Sequence, residues 1–417
     1  MIRLPIEPKP ATRRTVLMGI LGGVVSLTGP RPPISAAEAD NSTSNRTQGS
    51  TVSFKGGATS TPWLPFEMPD FRRLIVTGRI NGVPAKILLD SGVGGLVLNK
   101  DLAATFRLRH IGNVTGVGVT GLVQGQLVEG VAISFDNLTI NTPNAQPYDM
   151  APFAGVLNEP IAALLGRDLF SLLIVDIDFA KVRIAFRDPN VMLSLPGGAE
   201  IPLQQDKSGL RSVPVSIENR APIQATLDFG SDRALNISPT YVSDQNLLRS
   251  KRSSTALSAG AAGIEVGQVA MLSKVAIGNI VFHDVPIEVP NRWAFENQAI
   301  LGMPIIRRMR MLIDFPHNRI TVMPNAPVFS QPFRKDRSGI GARRLTDRLQ
   351  IMHVAAGSPA EASGLHAGDE IIEINDQILD AAYFKQHPRI GSQPAGTVVY
   401  LTLSNHQRVK LTLTDYY

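Results

Sequence analysis

The chain has 417 residues, of which 43% are hydrophobic, and it contains no cysteine. A chain of this length buries an ordinary apolar core in two or three domains and needs no disulfide framework to do so. The formal net charge is +6, and residues 1–39 hold five Lys or Arg residues against two Glu residues. The remainder is therefore only modestly basic, which argues against a nucleic-acid-binding protein.

The first 39 residues have the pattern of an export signal. Arg13-Arg14 precede an apolar, glycine-rich run over residues 16–25, and Ala37-Glu38-Ala39 fits a cleavage site. The paired arginines resemble a twin-arginine signal; a general secretory signal and an uncleaved anchor are the alternatives. The apolar run is short for a membrane span. We therefore expect a periplasmic or otherwise exported protein without a stable span after signal removal, and a flexible linker over the polar residues 40–61.

One pattern occurs twice in the chain: an apolar run that ends in Asp-x-Gly, at Ile87–Gly92 and again at Ala225–Ser231. A single Asp-x-Gly is an ordinary turn sequence. Here three landmarks recur in one order, 136–138 residues apart, namely Asp90 and Asp228, Gly166 and Gly302, Asp178 and Asp314. The sequence therefore indicates a duplicated unit, whose two copies are expected to face each other across a pseudo-twofold axis.

Such an axis would bring the two aspartates together. Two carboxyl groups a few ångströms apart cannot both ionise cheaply, so one pKa rises and the other falls. The charged group then accepts a proton from water while the neutral group donates a hydrogen bond to a carbonyl. This chemistry hydrolyses peptide bonds without a metal. The abundance of Gly (36) and Pro (30) also favours a chain of many short strands.

The Asp-Ser-Gly motif, followed by an apolar-apolar-Gly element, resembles the retropepsin-like aspartic proteases. The fused pair is similar to a small, single-chain version of the bilobal pepsin architecture. The resemblance implies a mainly β fold, with a double β-barrel formed by one lobe over residues 62–195 and a second over 196–325. It also implies that Asp90 and Asp228 are the catalytic residues.

The residues around each aspartate have expected roles. Gly92 and Gly230 allow the backbone to turn tightly beside the carboxylates. In the family, a Thr or Ser between Asp and Gly bonds to the opposite loop; Ser91 can do this, whereas Phe229 cannot. Ser231 offers a hydroxyl where the family often has one. Because Phe229 departs from the pattern, a non-catalytic peptide-binding protein with the same fold stays a second interpretation.

A glycine-tipped flap that closes over bound peptide is implied between the first Asp loop and the first Leu-Gly element. Residues 115–126 fit this hairpin, since they space β-branched residues with glycines. The flap glycines are Gly116, Gly118, Gly121 and Gly125. The corresponding segment of the second repeat, residues 258–267, is equally rich in glycine.

The C-terminal residues 338–417 resemble a PDZ domain, an α+β module, and follow a proline-containing linker over 326–337. The segment from Ser358-Pro359 to Asn375-Asp376 carries the most specific part of the resemblance. Gly339-Ile340-Gly341-Ala342 lies where such domains have the loop that binds a terminal carboxylate through backbone N–H groups. The alternative is that this loop only begins a strand and that the module packs on the protease lobes.

The remaining features restrict the partners. The seven histidines show no His-x-x-x-His spacing, and the chain has no phosphate-binding loop, so we expect neither a metal nor a cofactor. The basic cluster Arg307-Arg308-Met309-Arg310 is expected to be a solvated helix face. The partners implied are a protein or peptide substrate and a peptide C-terminus at the PDZ domain. We expect a monomer, because the duplicated halves complete one site.

Overall fold

The computed structural model describes residues 26–27, 49–118, 121–151, 160–260, 263–387 and 389–417. The expected export signal lies outside the described residues except for Ser26–Leu27. These two residues form strand β1, which pairs antiparallel with Gly116 and Val117. Within the described ranges, we find no helix with the length and apolar character needed to span a membrane.

Within the described ranges, the first repeat has strands and two short α-helices. Its strands are β2 (Thr51–Phe54), β3 (Leu64–Glu67), β4 (Leu74–Ile80), β5 (Val83–Leu89), β6 (Leu96–Asn99), β7 (His110–Gly118), β8 (Gly121–Val128), β9 (Val131–Phe135), β10 (Leu138–Thr142), β11 (Gln146–Tyr148), β12 (Ala163–Leu165), β13 (Ile174–Asp178) and β14 (Arg183–Arg187). Its helices are α1 (Lys100–Thr105) and α2 (Arg167–Phe170). Burial alternates along β9, because one face meets the core, whereas every residue of β13 is buried.

Within the described residues, the second repeat has eleven strands and two short α-helices. Its strands are β15 (Ala199–Pro202), β16 (Gln204–Gln205), β17 (Arg211–Ile217), β18 (Ile223–Leu227), β19 (Leu235–Ile237), β20 (Ser253–Gly260), β21 (Gly263–Ile277), β22 (Ile280–Val289), β23 (Ala299–Leu301), β24 (Met309–Asp314) and β25 (Arg319–Pro324). Its helices are α3 (Pro239–Asp244) and α4 (Met303–Ile306). Six strands close a barrel through pairing in the order β17-β18-β23-β19-β22-β21 and back to β17.

The two repeats are joined by a sheet with twofold symmetry. Its strand order is β3-β14-β13-β24-β25-β15, three strands from each repeat. At its centre β13 and β24 are antiparallel, and Asp176 lies opposite Leu312. These two positions are 136 residues apart, the offset of the repeat, so a strand faces its own copy as a twofold axis requires. One apolar core runs through both repeats.

Ion pairs repeat along with the strands. In the first repeat, Arg183 Nε lies 3.3 Å from Asp178 Oδ2. In the second, Arg319 Nε lies 2.9 Å from Asp314 Oδ2. Each pair closes the turn between the last two strands of its repeat, which supports a common origin for the two units.

The PDZ region has a separate core and a six-stranded sheet. Helix α5 (Ala326–Phe329) precedes it. Its elements are β26 (Ile340–Arg344), β27 (Leu349–Val354), α6 (Pro359–Ala362), β28 (Glu370–Ile374), β29 (Gln377–Ile378), α7 (Ala381–Gln386), β30 (Val398–Leu403) and β31 (Arg408–Thr412). Helix α6 begins where the sequence predicts, since Ser358 Oγ accepts from Glu361 N at 3.3 Å and Pro359 takes the first helical position.

Two segments differ from the linkers expected from the sequence. Residues 51–54 form β2 and pair with β10, so the folded first repeat begins near residue 50 rather than 62. Residues 326–337 pack on the second repeat, with Phe333 buried in its core. Both segments are short and polar or proline-rich, and only the partner strand or core shows that they are ordered.

The basic cluster is not a solvated helix face. Met309 and Arg310 belong to β24, and the Arg308 side chain is 1% exposed. Arg308 Nη1 donates to the carbonyl oxygens of Val328 and Phe329, both at 2.8 Å, and its guanidinium lies 3.8 Å from the centre of the Phe333 ring. Arg308 therefore fixes the segment that leads to the PDZ domain.

Glycines in the Leu-Gly elements allow the backbone of the Asp loops to pack closely against them. In each repeat the strand that ends at the aspartate is parallel to the strand that ends at this glycine, β5 with β12 and β18 with β23. A Cβ on Gly166 would collide with the carbonyl oxygen of Val93, and a Cβ on Gly302 with that of Arg233. The repeated glycine is therefore required by a close approach of backbone.

Replacing Gly302 with alanine is expected to lower the free energy of unfolding by about 1–3 kcal/mol, because backbone atoms must shift to admit the methyl group. The φ of Gly302 is −114°, which alanine adopts freely, so backbone strain does not contribute to the loss. Urea denaturation of the full chain measures it. Gly49→Ala is the control, since nothing lies within 4 Å of its added Cβ. Equal unfolding midpoints for the two variants would contradict this packing.

Candidate active site

The two Asp loops begin directly after buried strands. Asp90 follows β5 and its amide donates to the carbonyl of Leu165 at 3.1 Å. Asp228 follows β18 and its amide donates to the carbonyl of Leu301 at 2.9 Å. Asp90 is 6% exposed and Asp228 is fully buried. Each aspartate is thus fixed by the parallel strand beside it.

The carboxyl groups of Asp90 and Asp228 are in contact. Gly92 N donates to Asp90 Oδ1 at 3.0 Å, and Gly230 N donates to Asp228 Oδ1 at 2.7 Å. The two carboxyl groups lie within hydrogen-bonding reach of each other. A methyl group on Gly230 would overlap the Asp90 carboxylate. The structure therefore brings together the pair that the sequence singles out.

The electrostatics favour one shared proton. Burial raises the pKa of Asp90. Burial raises the pKa of Asp228 further, and the nearby charge of Asp90 adds to this effect. Asp228 Oδ2 is buried and accepts no hydrogen bond from the described residues. A proton on this oxygen, donated to Asp90, satisfies it.

Arg73 places a positive charge behind the pair. Its side chain is 2% exposed, and Nη1 donates to the carbonyl oxygen of Arg72 at 2.9 Å. Its charge acts on the carboxylates of Asp90 and Asp228, and it lowers the pKa of both. Burial in turn lowers the pKa of Arg73. The charge of Arg73 thus opposes the increase that burial causes in the pKa of both aspartates.

Asp232 connects the second Asp loop to the first repeat. Arg72 Nη1 lies 3.0 Å from Asp232 Oδ2, and the Asp232 side chain is 5% exposed. Burial would raise the pKa of Asp232, but the positive charges of Arg233, Arg73 and Arg72 outweigh burial and hold the pKa well below its ordinary range. Asp232 is therefore a permanent anion beside the shared proton.

Ser91 holds the two loops together. Its hydroxyl donates to the carbonyl oxygen of Leu227 at 2.7 Å and accepts from Phe229 N at 3.1 Å. Both bonds cross from the first repeat to the second. This is the role that the resemblance implies for Ser91.

Phe229 does not lie between the carboxyl groups. Its ring is fully buried in the core and packs against Phe170, with 5.5 Å between ring centres. Phe170 packs in turn against Phe315, at 5.4 Å. The second loop therefore replaces the expected hydroxyl with an aromatic contact that also crosses between the repeats.

Ser231 lies in the second loop with its hydroxyl buried and without a partner among the described residues. Its Oγ and Cβ lie against Gly302. The Ser231 side chain therefore packs against Gly302, whereas the resemblance implies a hydrogen bond from its hydroxyl. The equivalent residue of the first repeat is Val93.

The flap glycines lie on one hairpin. Gly116 and Gly118 belong to β7, Gly121 and Gly125 belong to β8, and Gly118 pairs with Gly121. The equivalent hairpin of the second repeat is formed by β20 and β21. Residues 119–120 and 261–262 lie outside the described residues.

The carboxylate loop of the PDZ domain bonds partly to its own chain. Gly339 N donates to Asp336 Oδ2 at 2.6 Å, and Ile340 N donates to Ser338 Oγ at 3.1 Å. Gly341 and Ala342 belong to the edge strand β26. The amide groups of Gly339 and Ile340 are therefore occupied by side chains of the same chain.

Sequence reasoning missed Arg73 and Asp232. A signal for the first was present, because an arginine precedes each aspartate by 17 residues: Arg73 before Asp90 and Arg211 before Asp228. No repeated signal marks Asp232, since the equivalent residue of the first repeat is Gly94.

Comparisons of the sequence with known protein families agree with this architecture. The aspartyl protease family profile matches residues 76–169 and 213–305, and the PDZ domain profile matches residues 331–389. Similar solved structures include basic 7S globulin from soybean (11% identity, 66% of this chain and 94% of that chain, TM-score 0.39). Another is a retropepsin-like aspartic protease from Rickettsia conorii (18% identity, 30% of this chain and 90% of that chain, TM-score 0.25). None of the curated proteins matches the chain.

Ser91→Ala is expected to lower the free energy of unfolding by about 1–3 kcal/mol, because it leaves the buried carbonyl of Leu227 and amide of Phe229 without a partner. Ser231→Ala is the matched control and is expected to be nearly neutral, since its hydroxyl bonds to nothing described. Urea denaturation of both variants measures the difference. A loss for Ser231→Ala as large as that for Ser91→Ala would show that the cross-repeat bonds are unimportant.

Asp228→Asn is expected to be more stable than the parent protein at neutral pH. The pKa of Asp228 is raised on folding above 3.8, so as the pH rises past 3.8 the unfolded chain ionises first and the native state loses stability. Asparagine removes this loss of about 1.4 kcal/mol per unit of pKa shift. Thermal unfolding over a pH series measures it, and the advantage should shrink as the pH falls toward 3.8.

Asp232→Asn should show the opposite sign. Because its pKa is lowered on folding, the charged form stabilises the native state at pH above 3.8, and this stability is lost only as the pH falls further. We expect this variant to be less stable than the parent at neutral pH. Equal shifts of one sign in both variants would contradict the electrostatics described for the pair.

Proposed function

We propose that this chain, which carries two retropepsin-like aspartyl protease repeats followed by a PDZ domain, is an exported aspartic endopeptidase. The observation that carries the proposal is the contact between the Asp90 and Asp228 carboxyl groups, each held by an amide of its own loop. A pair that shares one proton has both an acid and a base ready for the hydrolysis of an amide.

The two aspartates have different roles in the proposed reaction. Asp228 keeps the proton, because its pKa is raised the more, by burial and by the charge of Asp90. Asp90 is the ionised base, because its pKa is raised less than that of Asp228: burial raises the pKa of Asp90, but the charge of Arg73 and the hydrogen bond from Asp228 oppose this effect.

The proposed steps balance without a metal. The water oxygen bonds to the peptide carbonyl carbon while Asp90 takes one water proton and Asp228 gives its proton to the carbonyl oxygen. In the resulting tetrahedral diol, Asp90 passes its proton to the amide nitrogen and the carbon–nitrogen bond breaks. One diol hydroxyl returns a proton to Asp228 as the carboxylic acid forms. The pair ends in the state in which it began.

The position of Phe229 supports catalysis over binding alone. The sequence left open a non-catalytic peptide-binding protein because Phe229 lacks the expected hydroxyl. Its ring packs against Phe170, away from the two carboxyl groups, and the bonds of Ser91 still tie the loops together.

We further propose export to the periplasm, on the strength of the N-terminal signal pattern, and peptide recruitment by the PDZ domain.

The substrate is a protein or peptide that enters between the repeats. One chain supplies both aspartates, so a monomer suffices for activity.

Asp90→Asn and Asp228→Asn are each expected to reduce cleavage of an unfolded protein substrate by at least about a thousandfold, because either change removes the acid–base pair. Pepstatin should inhibit the parent protein. Since the pKa of both aspartates is raised, activity should fall as the pH drops through the pKa of Asp90, which then takes up a proton, and fall again as the pH rises through the higher pKa of Asp228, which then loses its proton. Initial rates over a pH series, measured on the full chain, provide this comparison.

Asp188→Asn is a suitable control, since, among the described residues, the Asp188 side chain accepts hydrogen bonds only from the backbone and side-chain amides of Asn190. It should cleave as the parent does. Retained turnover in the Asp90→Asn variant would remove Asp90 from the mechanism. A parent protein that binds unfolded polypeptide without cleaving it at any pH would favour the peptide-binding function.

A further inference from the structure

The PDZ domain contacts the hairpin of the second repeat. Ser254 Oγ donates to the carbonyl oxygen of Ala356 at 2.6 Å, and Thr255 Oγ1 lies 2.9 Å from His353 Nε2 in a hydrogen bond. Ser254 is 7% exposed. Strand β20 of the hairpin therefore lies against β27 and the loop that follows it.

Gly341 of the PDZ domain marks the tightest point of this contact. A Cβ added to Gly341 would lie 2.6 Å from the Cβ of Leu257. The φ of Gly341 lies outside the left-handed region, so the backbone does not require glycine here. Close approach to the hairpin is the physical reason for glycine at this position.

Arg233 binds the other side of the same segment. Its Nη2 donates to the carbonyl oxygen of Leu257 and to Ser258 Oγ, both at 3.2 Å. Its Nε lies 2.7 Å from Glu288 Oε2, and Ser258 also bonds to Glu288. Leu257 thus lies between Gly341 of the PDZ domain and Arg233 of the second Asp loop.

Arg233 belongs to the loop that carries Asp228. Its neighbour Asp232 pairs with Arg72 of the first repeat at 3.0 Å. The carbonyl oxygen of Arg233 lies against Gly302, so a displacement of Arg233 moves the backbone beside the catalytic pair.

The first repeat has no equivalent of this connection. Its residues at the positions of Asp232 and Arg233 are Gly94 and Gly95. The second loop also lacks the hydroxyl that the first loop has in Ser91. The loop with the weaker direct bond is therefore the one supported by a charged network and a further domain.

We propose that the PDZ domain positions the second Asp loop, through the hairpin segment at Leu257 and the positioning residue Arg233. The domain then serves as part of the frame of the active site, in addition to any peptide that it recruits. The expected change in kcat rests on the proposed function. The expected change in hydrogen exchange of the second Asp loop does not, and it should occur even in a protein that cleaves nothing.

Gly341→Ala in the full chain tests the connection, because it pushes the hairpin from the PDZ side without touching the Asp loop. Hydrogen–deuterium exchange is expected to rise by at least about fivefold in two segments, residues 253–268 of the hairpin and 226–235 of the loop. The kcat should fall by about tenfold with little change in KM. Gly49→Ala is the matched control and should change neither.

A second pair of variants guards against a simple packing defect. Ser254→Ala with Thr255→Val deletes two hydrogen bonds and adds no bulk to the contact, and it should raise exchange in the same two segments. Gly341→Ala combined with Leu257→Gly removes the colliding Cβ and should restore most of the protection of residues 226–235.

Arg233 has its own comparison. Arg233→Met should raise exchange in residues 226–235 and lower kcat, and Arg233→Lys, which keeps the charge beside Glu288, should restore part of both. Arg79→Met removes an exposed arginine that also bonds a carbonyl oxygen, and it should have no effect.

Unchanged exchange of residues 226–235 in Gly341→Ala would overturn the proposal, even if exchange rises in the hairpin. The hairpin would then move without any effect of the PDZ domain on the loop. Increased exchange in those residues together with a parent protein that cleaves nothing would support the positioning role and overturn the proposed protease function. The two ideas therefore fail separately.

Discussion

The close approach of two buried carboxyl groups is the constraint on which the arrangement of the two Asp loops depends. Asp90 and Asp228 come from different repeats of the chain, and each carboxyl group is removed from water. Without a shared proton, two negative charges at this distance would drive the repeats apart. The strands, glycines and cross-repeat bonds around the pair all hold this contact in place.

The backbone of the two repeats follows a pseudo-twofold symmetry, whereas the side chains around the two aspartates do not. The central strands face their own copies, and both Leu-Gly elements admit the Asp loop in the same way. Around the carboxyl groups, however, Ser91 has no hydroxyl counterpart, and Asp232 has Gly94 as its counterpart. Because the environments differ, the two aspartates differ in pKa, which is what separates an acid from a base.

Charge and aromatic packing replace the missing bond of the second loop. Phe229 turns its ring into the shared core, while Asp232 and Arg233 connect the loop to the first repeat and to the hairpin. The PDZ domain packs against that hairpin, so it is not an independent attachment to the protease fold. Its carboxylate loop is partly occupied by Asp336 and Ser338, in keeping with a module that has an intramolecular role.

The duplication, the paired aspartates, the glycines beside them and the PDZ signature can be predicted from the residues alone, because each is a local pattern that recurs or has a fixed spacing. The ring direction of Phe229, the burial of Arg73 and Arg308, and the pairing of β2 with β10 follow from the folded chain. These depend on contacts between segments distant along the chain, for which one sequence carries no periodic signal. A buried arginine and an exposed one look alike in the sequence, and only the folded chain supplies the carboxylates and carbonyls that distinguish them.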